Sequence, residues 1–425
     1  MPKVVIETYG CTLNQADSRI MGSILKENGY EVEYGRYEGE GDYLIVNTCT
    51  VKSPTENKIL YRLGKLGKLG KRLIVAGCLA TASPEKVMKV APQASIVSTS
   101  NVHKIAEAIK FASDNKQVII NSYKKVDKLA YGIDNNSVIA RIPISEGCLS
   151  SCTFCETRFA RGPLNSFSEE VILKAIENAV AKGAKEVELT SQDTGAYGLD
   201  RKTNIAELLN KIVYIEGEFR IRVGMLNPEH LHRYFDDLIE AYKSEKVYKF
   251  FHLPVQSGSN KVLREMQRRY TVEEFLNYAN EIRKRLSASI ATDIIVGYPT
   301  ESVEDFDKTI ELVKELKPEV VNVSKFGARP HAPASRLPQL PENVIKERSV
   351  ILSRIVRELE FSEREKHIGE VRKVLITEKN ERSFAGRDEF YNEIAVFGDG
   401  LDIGKFVNAK ISANSFACFI GNIIS

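Results

Sequence analysis

The sequence predicts an α/β multidomain protein with an N-terminal doubly wound α/β domain, a central partial (β/α)6 barrel and a C-terminal small antiparallel β-barrel. Apolar strand runs alternate with helical patterns, without tight hairpins, as far as Lys325, which predicts parallel strands. A charged helix at Glu342–Lys366 follows, and after it short strands separated by glycine turns begin. At 425 residues the chain is too long for one core. We expect domains at 1–130, 131–366 and 367–425.

In the N-terminal region, three β-branched runs with helical segments between them predict a parallel sheet covered on both faces. These runs are Lys3–Tyr9, Tyr43–Asn47 and Leu73–Ala76. A cysteine follows each run, and the three are Cys11, Cys49 and Cys78. Because ligands bind at the carboxyl ends of parallel strands, we expect the three thiols to converge on one edge of the sheet. The alternative is that they are small buried hydrophobic side chains.

Six strand candidates with helices between them predict the central barrel. The strands are Val138–Ile144, Glu186–Thr190, Arg220–Val223, Phe250–Val255, Ile290–Val296 and Val320–Lys325. The helices are Glu169–Lys182, Ile205–Tyr214, Glu229–Tyr242, Val272–Leu286 and Glu304–Leu316. Six units favour a partial barrel over a closed eight-fold one.

A second cysteine triplet, Cys148, Cys152 and Cys155, lies just after the first barrel strand, on the face where barrel enzymes carry their active sites. Thiolates are soft ligands that select iron-sulfur clusters or zinc, and a structural zinc site requires four ligands. Three thiolates with no fourth partner nearby predict a four-iron cluster with one open iron. A zinc knuckle or incidental cysteines are the alternatives.

The C-terminal strands are predicted at Glu370–Thr377, Asn392–Phe397, Phe406–Ile411 and Phe416–Ile420, with turns at Gly386-Arg387 and Gly398–Gly400. This region has no net positive charge, since it carries seven Lys/Arg and eight Asp/Glu from Ile368 onward. RNA contact would then need one face, or aromatic rings that stack on unpaired bases. The candidate rings are Phe384, Phe390 and Tyr391, which could equally fill the barrel core. For Cys418, in an apolar strand, we expect core burial.

The overall composition indicates a reduced compartment. Seven cysteines are too few and too unevenly placed for a secreted disulfide scaffold. There is no apolar stretch near the roughly 18–20 residues of a membrane helix, so we expect a cytoplasmic protein without membrane contact. The net charge of +3 does not decide about nucleic acid, but Lys58–Arg72 carries six positive charges and no acid. Such a stretch attracts phosphates or is a solvated helix face.

Several motifs occur together in a characteristic order. The cysteine triplet with Phe154 resembles the radical-SAM signature. The segment Cys152–Gly162 (CTFCETRFARG) extends the triplet on its C-terminal side. Further motifs are Leu189–Gly198 (LTSQDTGAYG) and Thr292–Glu301 (TDIIVGYPTE) after the triplet and Tyr9–Asn14 (YGCTLN) before it. Together these motifs resemble the tRNA methylthiotransferases, and they are most similar to the archaeal and eukaryotic MtaB-type branch. The resemblance covers essentially the whole chain, including a TRAM-like C-terminal barrel.

The resemblance implies two 4Fe-4S clusters, one on Cys148, Cys152 and Cys155 and an auxiliary one on Cys11, Cys49 and Cys78. It also implies consumption of two S-adenosylmethionine molecules. One methylates sulfur at the auxiliary cluster, and the other yields the radical that attacks carbon 2 of threonylcarbamoyladenosine beside the anticodon. The implied partners are the tRNA anticodon stem-loop and an electron donor such as a ferredoxin or flavodoxin. The oligomeric state is left open.

The resemblance also implies residues that contact S-adenosylmethionine. Gln192 stands where the family contacts the amino group, and Ser257 where it approaches the ribose. Phe154 and Ile295 stand beside the adenine, and either Arg268 or Arg269 would meet the carboxylate. The alternatives are ordinary strand-end polar groups, a buried strand and a solvated helix end.

Other targets remain open from the sequence. The same chemistry could act on isopentenyladenosine in tRNA or on a ribosomal-protein aspartate, and a protein of another class would be a non-catalytic metal-containing RNA-binding protein. The stretch Arg329–Ala334 carries His331 and Ala332 where relatives commonly have Gly-Thr, which leaves fine substrate discrimination in doubt.

Overall fold

The computed structural model describes residues 1–50, 53–70 and 72–424. Its N-terminal part is a six-stranded sheet in the order β2-β1-β3-β4-β5-β6, with all neighbours parallel. The strands are β1 (Lys3–Thr8), β2 (Glu31–Tyr34), β3 (Tyr43–Thr48), β4 (Arg72–Gly77), β5 (Ser95–Val97) and β6 (Ile119–Ile120). The helices are α1 (Thr12–Glu27), α2 (Ser53–Gly67), α3 (Cys78–Ala82), α4 (Pro84–Val90) and α5 (Ile105–Ser113), with short 3₁₀ turns at Thr99–Lys104 and Lys128–Tyr131.

Both faces of this sheet are covered, as predicted. Alternate strand residues face opposite sides, so Val4 and Ile6 pack with helices α1 and α5, whereas Val5 packs with α2 and α4. Each face has its own buried core, which is the doubly wound arrangement. Strands β2, β5 and β6 were not predicted from the sequence, because they are short and, in the case of β2, half polar (EVEY).

The central part is a parallel partial barrel built from two three-stranded sheets, β11-β10-β7 and β12-β13-β14. The larger strands are β7 (Ile139–Pro143), β10 (Glu186–Thr190), β11 (Arg220–Val223), β12 (Phe250–His252), β13 (Ser289–Val296) and β14 (Val320–Lys325), and β8 (Ser145–Glu146) and β9 (Asn165–Ser166) form a small antiparallel pair. An isolated bridge between Ile221 and Val247 joins the two sheets. Among the described residues β7 and β14 do not pair, so the barrel is open on that side.

Several helices of the barrel begin where a side chain caps the first turn. The barrel helices are α6 (Thr157–Arg161), α7 (Glu169–Ala181), α8 (Ile205–Ile212), α9 (Pro228–Leu231), α10 (Phe235–Tyr242), α11 (Asn260–Glu265), α12 (Val272–Leu286), α13 (Val303–Leu316) and α14 (Glu342–Glu365). Before α12, Thr271 and Glu274 form a reciprocal capping box. The single helix predicted at Glu229–Tyr242 is two helices, because Tyr234 leaves the helical backbone (φ −152°) and its hydroxyl donates to the Gly195 carbonyl.

Alternation along the strands divides the barrel into an outer apolar layer and a polar lumen. Residues such as Ile142, Val187 and Ile221 pack against the surrounding helices in one buried core. The intervening residues point inward, and they include Arg141, Glu188, Arg222, His252, Asp293 and Asn322. The lumen is therefore lined by charged and polar side chains, which can bind a polar ligand.

The C-terminal part is a closed five-stranded barrel in the order β15-β16-β17-β19-β18. Its strands are β15 (Val371–Lys379), β16 (Phe384–Arg387), β17 (Glu393–Phe397), β18 (Phe406–Asn414) and β19 (Phe419–Ile423). The predicted turn at Gly386-Arg387 was wrong, since both residues lie in β16. One pair, β17 with β19, is parallel, so the barrel is not wholly antiparallel. Cys418 precedes β19 and is half-buried, contrary to the expected core position.

The C-terminal barrel closes the amino-terminal end of the central lumen. The Tyr391 hydroxyl donates to Glu186 (3.1 Å) and Glu188 (3.0 Å), and its ring lies against Tyr248 and Phe250. Within the described residues, no helix is long and apolar enough to cross a membrane.

Candidate active site

The first cysteine triplet lies in the loop that follows β7 and β8 and leads into α6. Cys148 is held by its backbone N–H on the Gly162 carbonyl (3.2 Å), and the Cys155 N–H donates to the Cys152 carbonyl (3.2 Å). Between them, Thr153 is fixed by bonds to the Met266 and Glu265 carbonyls. The loop is therefore anchored across the top of the barrel, and its three thiols lie at the carboxyl end of the strands.

Of the two candidate arginines, the structure brings Arg268 to this triplet. Its Nη1 lies 3.6 Å from the Cys152 Sγ, and its Nε and Nη2 donate to the Tyr270 hydroxyl and the Pro254 carbonyl (both 2.9 Å). Arg269 points to solvent, with 75% of its side chain exposed and only a 3.7 Å contact to Glu229. Arg268 is thus the guanidinium that faces the thiols.

Phe154 and Ile295, both predicted to lie beside an adenine, pack on one small apolar cluster above the lumen. Gln192 follows β10, and its Oε1 is buried without a hydrogen-bond partner among the described residues. Ser257 is fully buried, and its hydroxyl accepts from the Ser259 N–H (3.2 Å) and lies 3.5 Å from the Thr309 hydroxyl. The orphan amide oxygen of Gln192 leaves an acceptor free for a ligand.

The second triplet lies at the carboxyl edge of the N-terminal sheet. Cys11 precedes α1 and is exposed, Cys49 follows β3, and Cys78 begins α3 after β4. Burial raises the pKa of Cys78 to about 12, although Arg161 opposes the shift and the neighbouring Cys11 and Cys49 reinforce it. Cys11 and Cys49 therefore lie near Cys78, and their convergence on a common cluster stays a prediction.

Arg161, at the end of the helix that follows the first triplet, contacts a thiol of the second triplet. Its Nε donates to the Cys78 Sγ (3.2 Å), and its other nitrogens contact Asp17 (2.9 Å) and Glu146 (3.0 Å). Lys128 completes a buried ion quartet through Asp17 (2.5 Å) and Glu146 (2.9 Å). The helix that begins just after Cys155 therefore ends against the second triplet.

The sequence analysis assigned no role to Arg161 or to Asn14, although both lie in quoted motifs. Asn14 is fully buried, and its Nδ2 donates to the carbonyls of Tyr9 (2.7 Å) and Thr48 (2.8 Å). Tyr9 lies two residues before Cys11, and Thr48 lies directly before Cys49. Its Oδ1 accepts from Arg161. The only local signal for Arg161 was its place in the quoted motif, six residues after Cys155.

Further contacts fix the N-terminal domain over the barrel. Thr12 Oγ1 lies 2.6 Å from Thr190 Oγ1, next to Cys11 and at the end of β10. His331 stacks on Phe159 (centroids 3.7 Å apart), and its Nε2–H donates to the Ala82 carbonyl (3.0 Å). The unusual His331-Ala332 pair thus lies at the domain interface.

Both triplets fit a metal-sulfur cluster in their chemistry. All seven cysteines are free thiols. Burial raises the pKa of Cys148 and of Cys155, so a cluster would have to displace their protons. Arg268 and Arg161 supply positive charge beside Cys152 and Cys78. In the part of the chain that the structure describes, no three His, Cys, Asp or Glu side chains converge tightly enough for a single ion.

In the basic stretch Lys58–Arg72, some of the cations already have partners within the protein. Arg62 pairs with Glu7 (3.0 Å) and Arg72 bonds to the Tyr43 hydroxyl (3.2 Å), so these two support the fold. Lys71 lies outside the described residues, and the exposed cations of this stretch are Lys58, Lys65 and Lys68.

Among the three aromatic residues of the C-terminal barrel, Tyr391 is occupied at the interface with the central barrel. Phe384 packs on the core of its own barrel, and Phe390 lies under Arg372 (4.6 Å). The ring faces of Tyr391 and Phe384 are therefore committed to packing within the protein.

Comparison with known proteins agrees with this architecture. Residues 142–313 match the Radical SAM superfamily, which implies S-adenosylmethionine and a 4Fe-4S cluster. Residues 3–99 match the uncharacterized protein family UPF0004. The fold resembles the radical S-adenosylmethionine methyltransferase TsrM from Kitasatospora setae, with a TM-score of 0.60, 13% identity and coverage of 79% of this chain and 75% of that chain.

Full-length relatives are closer in sequence. The chain is 41% identical to the "Probable threonylcarbamoyladenosine tRNA methylthiotransferase" of Pyrococcus abyssi, over 100% of both chains. It is 42% identical to the protein of the same name from Archaeoglobus fulgidus, over 99% of this chain and 98% of that protein. Identity to the human threonylcarbamoyladenosine tRNA methylthiotransferase is 32%, over 96% of this chain and 72% of the human protein. The chain belongs to the threonylcarbamoyladenosine tRNA methylthiotransferase family of radical-SAM enzymes.

Proposed function

We propose that this protein adds a methylthio group to carbon 2 of N6-threonylcarbamoyladenosine next to the anticodon of tRNA. The observation that carries the proposal is the junction at Arg161, where the helix after one cysteine triplet meets a thiol of the other. Two thiol sites facing one interface suit a reaction that needs both a radical source and a sulfur donor. The full-length relatives bear the name of this activity.

In this proposal Cys148, Cys152 and Cys155 hold one 4Fe-4S cluster, and a second cluster occupies the site formed by Cys11, Cys49 and Cys78. A cluster held by Cys148, Cys152 and Cys155 would supply the electron for reductive cleavage of S-adenosylmethionine. The protein's own contribution is to hold the thiolates and to balance their charge. Arg268 and Arg161 do this, because a buried anion is costly without a nearby cation.

The same site offers groups for S-adenosylmethionine. The unpartnered Gln192 Oε1 would accept a hydrogen bond from the amino group, and Arg268, rather than Arg269, would meet the carboxylate. Phe154 and Ile295 would cover the adenine from the apolar cluster that they share. Ser257 would contact the ribose through its hydroxyl proton, since its oxygen already accepts from Ser259.

The protein has three domains with separate roles. Residues 1–130 carry the auxiliary site, residues 131–366 form the radical-SAM barrel, and residues 367–425 form a TRAM-like barrel that contacts RNA. Lys58, Lys65 and Lys68 would attract the phosphates of the anticodon stem-loop. An external electron donor, such as a ferredoxin or flavodoxin, would reduce the first cluster. Because tRNA and reduced thiols occur together in the cytoplasm, the proposed reaction takes place there.

Cluster content tests the chemistry. After anaerobic reconstitution, the wild-type protein should contain two four-iron clusters with equal amounts of iron and labile sulfide. Cys148→Ala and Cys11→Ala should each retain about half of the iron, because each removes a ligand from one site only. Cys418→Ala, a half-buried cysteine in the C-terminal barrel, should match the wild type. Stoichiometric zinc without sulfide would instead support a non-catalytic metal protein.

Nucleoside mass spectrometry tests the substrate. A deletion strain complemented with this chain should show the methylthio group on threonylcarbamoyladenosine in its tRNA. Cys11→Ala should abolish this product while 5′-deoxyadenosine still forms, because only the auxiliary site is lost. A methylthio group on isopentenyladenosine alone, or on a ribosomal-protein aspartate, would reject the assignment.

A further inference from the structure

A cavity of 480 Å³ lies between the N-terminal domain and the open side of the barrel. Ligand pockets are typically about 300–1,000 Å³, so its size suits a small organic group. One wall is the carboxyl end of β1 and the segment after β2, and the other is β7, through Ile139 and Arg141. The inward direction of Arg141 connects this cavity with the polar lumen.

The cavity begins next to the auxiliary thiol site. Tyr9 lines it and lies two residues before Cys11, and Gln15 lines it from the first turn of α1, about one 5.4 Å turn beyond Cys11. Thr12, between them, contacts Thr190 at the top of the lumen. A group bound here would therefore extend from a nucleobase held between the two thiol sites.

The charge of the lining is positive, through Arg19, Arg36 and Arg141. Its one carboxylate, Glu7, is already neutralised, because Arg62 donates to both of its oxygens (3.0 and 3.1 Å) and Tyr9 donates to one. Arg141 is paired with Glu188 (2.8 Å) in the lumen. Near Arg19, the Asp134 carboxylate is already paired with Lys26 (2.6 Å), so it balances the Arg19 charge only in part. No ion pair balances the charge of Arg36 within the described residues.

Arg19 and Arg36 are placed to receive an anion. The Arg19 guanidinium lies 3.8 Å from the ring centroid of Tyr34, which orients its plane along the wall of the cavity. Arg36 is exposed and makes no hydrogen bond or ion pair with the described residues. Gln15 likewise has no side-chain hydrogen bond within the described part of the chain. A planar guanidinium is the preferred partner of a carboxylate.

We infer that this cavity binds the threonine carboxylate of the modified nucleoside, with Arg36 and Arg19 as its specificity-determining residues. The inference rests on the proposed function and deepens it. Threonylcarbamoyladenosine carries a carboxylate and a urea-like linkage, whereas isopentenyladenosine presents only an apolar group. A cavity lined by Arg19 and Arg36 favours the first, because a carboxylate can pair with a guanidinium and an apolar group cannot.

The test compares anticodon stem-loop RNAs that carry threonylcarbamoyladenosine, its threonine methyl ester, or isopentenyladenosine. With the reconstituted wild-type protein, the acid should be methylthiolated faster than the ester. Arg36→Gln and Arg19→Gln should each lower kcat/KM for the acid roughly 10- to 100-fold, the value of a charge-assisted hydrogen bond, and leave the ester nearly unchanged. Arg354→Gln, an exposed arginine on α14, serves as the control and should have no effect.

Equilibrium binding gives a readout that does not depend on the clusters. The metal-free protein should bind the acid stem-loop more tightly than the ester, and Arg36→Gln should remove this difference. Equal losses on acid and ester, or no loss on either, would overturn the inference while leaving the proposed function intact. Failure of the wild-type protein to modify the acid, with activity on isopentenyladenosine, would reject the proposed function itself.

Discussion

The Nε of Arg161 lies 3.2 Å from the Sγ of Cys78, across the interface between the N-terminal domain and the barrel. The contact matters because both residues are buried and each belongs to a segment that carries one cysteine triplet. Burial disfavours the guanidinium charge, but Cys78, Asp17 and Glu146 more than offset this, and the pKa of Arg161 is raised. The interface is thus held by charges that are satisfied only when both domains are in place.

Replacing Arg161 should loosen this interface. Arg161→Gln leaves Asp17 and Glu146 with Lys128 as their only cation among the described residues, and breaking a buried ion network typically costs about 3–5 kcal/mol. We expect a lower urea midpoint by circular dichroism and loss of iron from the auxiliary site. Arg158→Gln, an exposed residue of the same helix, should change neither property. Equal behaviour of the two variants would contradict the role given to Arg161.

The tight turn before Cys11 leads to a second prediction, on the effect of replacing Gly10. Gly10 has φ +112°, and a Cβ added there would lie 2.8 Å from the Cys49 Cβ and 3.0 Å from its Sγ. Gly10→Ala should therefore displace Cys49 and lower the iron content of the auxiliary site, in addition to a strain of about 1–2 kcal/mol from the backbone conformation. Iron and sulfide analysis after reconstitution measures the loss.

Gly29→Ala provides the matched control for Gly10→Ala. Gly29 also has a positive φ (+82°), but an added Cβ would meet no atom within 4 Å. It should show the backbone strain without the loss of iron. If both variants lose iron equally, the effect is global unfolding rather than the contact with Cys49.

The outlines of the fold could be predicted because the strongest signals are local. The strands Glu186–Thr190, Arg220–Val223 and Val320–Lys325 have the predicted bounds, since their β-branched or alternating runs end at clear turns. Short strands such as Ile119–Ile120 could not be found, because two residues carry no period. Gly386 was read as a turn, but glycine is needed there since a Cβ would lie 2.5 Å from the Leu375 carbonyl oxygen.

The positions of the cysteines could be predicted from the sequence, whereas the residues that contact them could not. Cys11, Cys49 and Cys78 each follow a strand, and parallel topology alone places them on one edge. By contrast, Arg161 reaches Cys78 only through the docking of two domains, a relation across 83 positions that no local pattern contains. The choice between Arg268 and Arg269 likewise depended on burial, because neighbouring residues in sequence can face opposite sides.

The contact between the C-terminal barrel and the central lumen leads to a third prediction, on the effect of replacing Tyr391. Tyr391→Phe removes the hydroxyl that donates to Glu186 and Glu188, which leaves buried acceptors unsatisfied at a cost of about 1–3 kcal/mol. We expect earlier proteolytic release of the C-terminal barrel at a fixed protease concentration. Tyr214→Phe, at a residue that is 86% exposed, should not alter the cleavage rate. Unchanged release from Tyr391→Phe would show that the two hydrogen bonds do not hold this interface.

Glu186 lies at the base of the lumen, and burial together with the charge of Glu188 raises its pKa from 4.5 to about 7. Its hydrogen bonds from tyrosines and the charge of a nearby arginine oppose this shift without cancelling it. The titratable and charged groups around it are Glu188, Tyr248, Tyr391, Arg387 and, opposite in the strand register, Arg220. Between pH 4.5 and 7 the folded protein therefore binds a proton at Glu186 that the unfolded chain releases.

Stability should consequently fall as the pH rises through this window, because the proton that favours the folded state is lost. From Glu186 alone the free energy of unfolding should decrease by about 3 kcal/mol between pH 4.5 and 7, since a tenfold change in proton affinity equals about 1.4 kcal/mol. Glu186→Gln keeps the shape and cannot titrate, so urea unfolding at pH 5 and pH 7.5 should show a smaller decrease than in the wild type. Glu177→Gln, on the barrel helix α7 and exposed, should retain the wild-type dependence. An identical pH slope in Glu186→Gln and the wild type would mean that Glu186 is ionised in the folded protein, with its charge balanced by Arg220 and Arg387.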